Sequence, residues 1–158
     1  MDERVAKLKT VENCVTFEKN ATALKRFDLA IEARKRAIEL KAEKYGAKSS
    51  AEKECLEAVY AYEQALSFKN GKKTSASRTW QMIDRHGVLE AVDRAVNRPV
   101  ETMGYTALLE MGLQEYAFEE VVSRHPELFS PDAVIRSQAR IKEWKLPSWS
   151  SPGFLDRS

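Results

Sequence analysis

Residues 49–71, SSAEKECLEAVYAYEQALSFKNG, carry the reading that decides the fold. Ser49, followed three residues on by Glu52, has the form of a capping box. In that motif the hydroxyl takes a backbone N–H of the first helical turn and the carboxylate reaches back to the cap. Behind it Cys55, Leu56, Val59, Tyr60, Leu66 and Phe68 recur at helical rather than alternating spacing. Asn70-Gly71 supplies the stop, because glycine accepts the left-handed conformation in which helices end. The stretch predicts one long helix.

On its N-terminal side, Val5, Leu8, Val11 and Val15 fall at helical steps and predict a first helix. Phe27, Ala30, Ile31, Ala37, Ile38 and Tyr45 predict a second, stopped by Gly46. On the C-terminal side the segments shorten. One spans 77–86 with Trp80 and Ile83 and closes at Gly87; the next spans 88–97 with Val88, Leu89, Val92 and Val96. Pro99 suits the first turn of a following helix, with Glu101 near the positive end of its dipole, and Gly112 ends it. Residues 113–124 read as a further amphipathic helix closed by His125-Pro126. Ser130-Pro131 is an N-cap followed by proline at the first helical position, and opens a helix through Val134, Ile135 and Ile141 to about Trp144.

No stretch alternates apolar and polar residues long enough for a strand. The expected fold is all-α, a compact orthogonal bundle of about seven or eight helices in which an N-terminal helical hairpin precedes short ones. Residues 1–71 form a long-helix part and 72–144 a short-helix part, as two packed subdomains or as one continuous 1–144 core. The Pro- and Ser-rich segment 145–158 is expected to be a flexible tail.

At 158 residues the chain is long enough to bury a core without a disulfide or metal staple. With 26 basic against 24 acidic residues its net charge is only +2, which excludes a globally basic polyanion binder. No run of 18 apolar residues exists and the start, MDERVAKLK, lacks an apolar signal core. The expectation is a soluble cytoplasmic protein with no membrane partner. Cys14, Cys55, His86 and His125 do not have the spacing of a zinc site, so no metal and no cofactor is expected; the cysteines read as small buried hydrophobes. No nucleophile motif, glycine-rich phosphate loop or HExxH pair is present, and an enzyme is not expected.

Local charge is more telling than the total. Between residues 64 and 86 the cations Lys69, Lys72, Lys73, Arg78 and Arg85 face the single acid Asp84. Between 99 and 129 only Arg124 opposes Glu101, Glu110, Glu115, Glu119, Glu120 and Glu127. A near-neutral chain is therefore polarised, and can orient a polyanion toward one surface. Arg34-Lys35-Arg36 is a second cluster, but three consecutive residues spread around a helix, and pairing with Glu32 and Glu39 is the expected use.

Within the basic segment, 74–87 (TSASRTWQMIDRHG) resembles the recognition helix of bacterial helix-turn-helix proteins, including transposase-type DNA-binding domains. The resemblance lies in the small polar capping residue, the Ser77-Arg78-Thr79 triplet, the apolar anchor and the Arg-x-Gly ending. It implies a DNA partner. Lys72, Lys73, Arg78 and Arg85 would contact phosphates, Ser77 and Thr79 would bond backbone oxygens, and Arg78 and Gln81 would reach base edges. Trp80 and Ile83 would hold the inner face. Reading 88–97 as the recognition helix instead puts Asp93 at an apolar position and is rejected. A second resemblance, over 14–40, is to a tetratricopeptide-like helical hairpin, with Ala30 and Ala37 at the close crossing and Lys25 where the family has a turn glycine. No second copy follows at the family's period, so only a hairpin is implied.

The competing function is a protein-interaction adaptor. Its docking face would be the acidic, aromatic-rich 105–120 surface, with Tyr105, Met111, Glu115, Tyr116, Phe118 and Glu119 meeting a basic protein partner.

Overall fold

A computed structural model describes residues 1–98 and 102–145. Pro99 and Glu101, expected to open a helix, and the tail from 146 onward lie outside the described residues. Among those described there are nine α-helices and no strand: α1 (Glu3–Ala6), α2 (Val11–Ala23), α3 (Phe27–Tyr45), α4 (Ser50–Asn70), α5 (Ser77–His86), α6 (Val88–Val96), α7 (Thr102–Glu110), α8 (Phe118–Arg124) and α9 (Pro131–Trp144). Single 3-10 turns occupy Gln114–Tyr116 and Pro126–Leu128. The all-α expectation is met, with more helices than the seven or eight expected.

The capping logic at α4 is realised at both ends. Ser49 Oγ accepts the Glu52 N–H at 3.2 Å, and Gly71 closes the helix at φ 69°. Ala51, Cys55, Leu56, Ala58, Val59, Ala61 and Ala65 are all buried. At 100° per residue these positions cover roughly 220° of the helix surface, so α4 must be covered from several directions. It packs against α3, α6, α7, α8 and the 3-10 turn at Gln114–Tyr116. One core cluster joins Cys55, Leu56 and Val59 to Ile83, Val92, Val96, Val121 and Val122. Another joins Ile38, Ala61 and Ala65 to Leu108, Met111 and Leu113. Both clusters draw on residues from either side of Gly71, so the long-helix and short-helix stretches share their core.

Two helix boundaries differ from the sequence reading. The stretch containing Val5 and Val15 is not one helix. Thr10 Oγ1 accepts the Asn13 N–H at 3.1 Å and starts α2 afresh, so Val5 is fully buried on α1 while Val15 is 55% exposed on α2. The stretch 113–124 is likewise broken, because Ala117 takes an extended ψ of 143° between the 3-10 turn and α8. Elsewhere local rules prevail. Ser130 Oγ accepts the Ala133 N–H with Pro131 in the first turn of α9. α2 and α3 form an antiparallel-type hairpin turned at Lys25, whose φ of 60° is the left-handed value a glycine would adopt freely.

α7 ends in a double closure. The Leu113 N–H reaches Leu108 O at 2.8 Å and the Gly112 N–H reaches Leu109 O at 3.1 Å, with Leu108 and Leu113 both buried in one cluster. Gly112 holds φ 73°, and a Cβ there would stand 2.6 Å from Ile31 Cδ1 and 3.1 Å from Ile31 Cγ2 on α3. Gly46 has a similar φ of 85° but open space around it. Gly46→Ala is therefore expected to cost about 1 kcal/mol of backbone strain, and Gly112→Ala a further ~1–3 kcal/mol from overpacking. Urea unfolding of the two variants checks the order; equal losses would mean that Ile31 yields without cost.

Candidate nucleic-acid interface

The connection from α4 to α5 is tied down rather than loose. Ser67 Oγ accepts the Thr74 N–H at 2.8 Å and donates to Thr74 O at 3.3 Å, and Asn70 Nδ2 donates to Thr74 Oγ1. One turn earlier on α4, Glu63 Oε2 accepts from Ser75 Oγ at 2.9 Å, from the Ala76 N–H at 2.8 Å and from Trp80 Nε1 at 2.8 Å. Trp80 in turn stacks on Tyr45 of α3 (centroids 5.8 Å apart, planes 25°) and tilts against Tyr60 of α4 at 5.2 Å. Glu63 was not singled out by sequence. Its signal was positional, an acid one turn beyond Val59 and two beyond Leu56, on the apolar face of α4.

This corrects the expected start of α5. Ala76, not a small polar residue, occupies the N-cap, and no side chain caps the helix. A carboxylate of the protein's own already lies before the first turn, so a phosphate approaching that end meets Glu63. Thr79 is corrected as well. It is only 7% exposed and packs inward beside Ile83, and cannot bond a DNA backbone. Trp80 is half-buried against the core, as the anchoring role requires.

The remaining residues of the group stay outside. Lys72, Lys73, Ser77, Arg78, Gln81 and Arg85 are all exposed. On α5, Ser77, Gln81, Arg85 and Arg78 fall within roughly 100° of arc, with exposed Asp84 at its edge. None of the four cations has a carboxylate within 4.0 Å among the described residues.

The other arginines give this meaning. Arg4, Arg26, Arg34, Arg36, Arg94, Arg124 and Arg140 each pair with a carboxylate. The described arginines without one are Arg78, Arg85, Arg98 and Arg136, and contacts link them spatially. Arg98 Nη2 lies 3.3 Å from the Sδ of Met82, one turn beyond Arg78 on α5. Arg136 Nη1 donates to Asn97 O at 3.4 Å, beside Arg98. Arg98 and Arg136 were missed by the sequence reading because they lie outside the basic segment and reach it only through the packing of α6 and α9. Arg34-Lys35-Arg36 is spent internally, on Glu18, Glu115 and Glu39 respectively. Glu32, the other expected partner, accepts instead from the Asp2 N–H.

The alternative face is largely dismantled. Met111 is 6% exposed and belongs to the core. Tyr105 stacks on Trp144 at 3.9 Å and 8°. Phe118 packs on Tyr62, Glu119 pairs with Arg140 at 3.0 Å, and Glu115 pairs with Lys35. Burial and the neighbouring Glu115 and Glu57 push the Tyr116 phenol well up.

Titratable groups elsewhere form no reactive constellation. His125 Nε2 meets Glu54 Oε2 at 2.6 Å while Arg124 holds Oε1 at 2.8 Å, which makes a structural clamp between α4 and α8. Cys55 next to it is fully buried, and its thiol is pushed up to about 12, far from a thiolate. No group of three His, Cys, Asp or Glu among the described residues is placed to hold a metal, and none of their helices is long and apolar enough to cross a membrane. A shallow hollow of about 340 Å³ at the α3–α4 turn is lined by Glu43, Lys48, Ser49 and Lys53, of which Glu43 and Lys53 already pair at 3.9 Å. Comparison with protein-family models, curated proteins and solved structures finds no match for the chain.

Two outcomes follow from these contacts. Glu63→Ala strands the Ala76 and Trp80 donors, and is expected to cost about 2–3 kcal/mol and to weaken the near-ultraviolet circular dichroism of Trp80. An unchanged spectrum would mean the three bonds do not hold α5. On another face of α4, burial raises the carboxyl pKa of Glu57, aided by Glu39 and Glu54. The unfolded chain then ionises first as pH rises, so this group withdraws stability over a window that opens at the unfolded glutamate pKa of about 4.3. Glu57→Gln is expected to gain stability over the wild type progressively across that window. A pH-independent difference in urea midpoint would refute the assignment.

Proposed function

We propose that the protein is a non-enzymatic DNA-binding or DNA-associated accessory module that holds the phosphate backbone with the cations of 72–85. The observation that carries this is the partition of arginines. Arg4, Arg26, Arg34, Arg36, Arg94, Arg124 and Arg140 are paired with carboxylates, while among the described residues Arg78 and Arg85 on α5, and Arg98 and Arg136, are not. Lys72 and Lys73 extend the row through the preceding loop. Cations without local counter-charges are the ones that gain most from a polyanion, since binding releases condensed counterions instead of breaking an internal pair. Gln81 and Arg78 share the exposed arc and are the residues able to reach a base edge. The helix-turn-helix resemblance supports the choice of α5, although the fixed Glu63 and the inward Thr79 weigh against a phosphate at its N-terminus. The adaptor reading is less well supported, since all six of its residues are engaged in internal packing or pairing.

The test is anisotropy of fluorescein-labelled DNA, duplex and single-stranded, titrated with protein from about 50 mM salt upward. Binding is expected to weaken linearly in log salt. Lys73→Ala with Arg78→Ala should flatten the slope by about 1–2, and Arg98→Ala with Arg136→Ala should flatten it similarly, whereas Arg4→Ala, which removes a paired surface arginine, should not. Absence of binding at the lowest salt, or equal slopes for all variants, overturns the proposal.

A further inference from the structure

Two aromatic stacks stand at the protein surface, and their electrostatic settings differ. Tyr105 lies on Trp144 in an acidic neighbourhood; Glu120 is close enough to raise the Tyr105 phenol further after burial has done so, and the nearby Lys145 pairs with that same carboxylate. Tyr45 lies on Trp80 in a mixed one, where Lys41 and Lys73 outnumber the Glu63 carboxylate that accepts from Trp80 Nε1. Tyr45 is 46% exposed although its ring stacks on Trp80, which leaves close to half of the residue in solvent. Lys41, one turn back on α3, holds its ammonium 5.9 Å from the Tyr60 centroid and has no carboxylate within 4.0 Å among the described residues. Lys73 comes near it from the α4–α5 loop: burial first, and then the charge of Lys73, lower the Lys41 pKa against the opposing pull of Glu63.

We infer that the junction of α3, α4 and α5 is a stacking subsite for an unpaired base of single-stranded DNA, with the exposed Tyr45 as platform and Lys41 and Lys73 as partners of the adjoining phosphates. This rests on the nucleic-acid reading above and adds to it the kind of strand and three residues, Lys41, Tyr45 and Trp80, outside the basic row. A ring on which a base stacks must be held still, or ordering it offsets the gain. Here Trp80 supports Tyr45 from below and is itself fixed through Nε1 to Glu63 at 2.8 Å. Two ammonium groups that repel each other gain doubly from a phosphate placed between them. Stacking is indifferent to base identity and unavailable in a duplex, where bases already stack on one another.

The experiment compares three labelled probes of about 10 nucleotides: oligo(dT), an abasic strand of the same phosphate count, and a duplex. Wild type is expected to bind oligo(dT) roughly tenfold or more tighter than the abasic strand, the worth of one stacked base. Tyr45→Ala should erase that preference and leave duplex binding unchanged, and Tyr45→Phe should keep it; far-ultraviolet circular dichroism checks that each variant is folded. Equal affinity of wild type for oligo(dT) and the abasic strand overturns the stacking subsite while leaving the phosphate row intact. A preference that survives Tyr45→Ala also overturns it. Failure to bind any of the three probes overturns both readings.

Discussion

A single carboxylate on the wrong face of α4 organises the junction of α3, α4 and α5. α4 is buried over most of its circumference, and Glu63 lies on that apolar side, where an unpaired charge is costly. The fold satisfies it with three donors, Ser75 Oγ, the Ala76 N–H and Trp80 Nε1. Those bonds fix the loop, the start of α5 and the one aromatic residue of that helix. Because Trp80 is drawn inward, the opposite arc of α5 is turned out, and Arg78, Gln81 and Arg85 come to lie together in solvent. The outward row on α5 follows from the bonds that satisfy a half-buried acid.

The near-zero net charge has a similar origin. The hairpin and α8 spend their arginines internally: Arg34 bonds Glu18 and the Met111 carbonyl, Arg36 bonds Glu39 and the Leu8 carbonyl, and Arg124 shares Glu54 of α4 with His125. Arg140, 8% exposed, is held by Glu119 and by the carbonyls of Val96 and Arg98 at the C-terminal end of α6. These pairs serve packing and contribute little to the outer field. What remains outside is therefore more strongly segregated than the totals of 26 and 24 suggest.

The helices were legible where the information is local. The Ser49 cap, the Gly46, Gly71 and Gly87 stops and the Ser130-Pro131 start each depend on residues within one turn, and each lies where the sequence puts it. Thr10 and Ala117 were missed because apolar spacing continues across both breaks. Of the site, the exposed cations of 72–85 were readable from charge alone. Thr79 was misjudged because a hydroxyl at helical spacing says nothing about which side the core takes. Lys41, Tyr45, Glu63, Arg98 and Arg136 were invisible as a set, since they come from α3, α4, α9 and the turn after α6.

The two aromatic pairs show why composition cannot stand in for a site. Both join an aromatic of one helix to a tryptophan of another, and by residue type they are interchangeable. Tyr105 and Trp144 lie nearly parallel beside Glu120, where a nucleic acid would meet repulsion. Tyr45 and Trp80 lie beside Lys41 and Lys73 as well as Glu63, whose charge three hydrogen-bond donors already satisfy, and their geometry is fixed by the bond to that carboxylate. A ring attracts a base through dispersion and a strand through the charges around it, and only where both are met does an exposed aromatic become a receptor. In this fold the segregation of charge, which the internal ion pairs sharpen, separates the two cases.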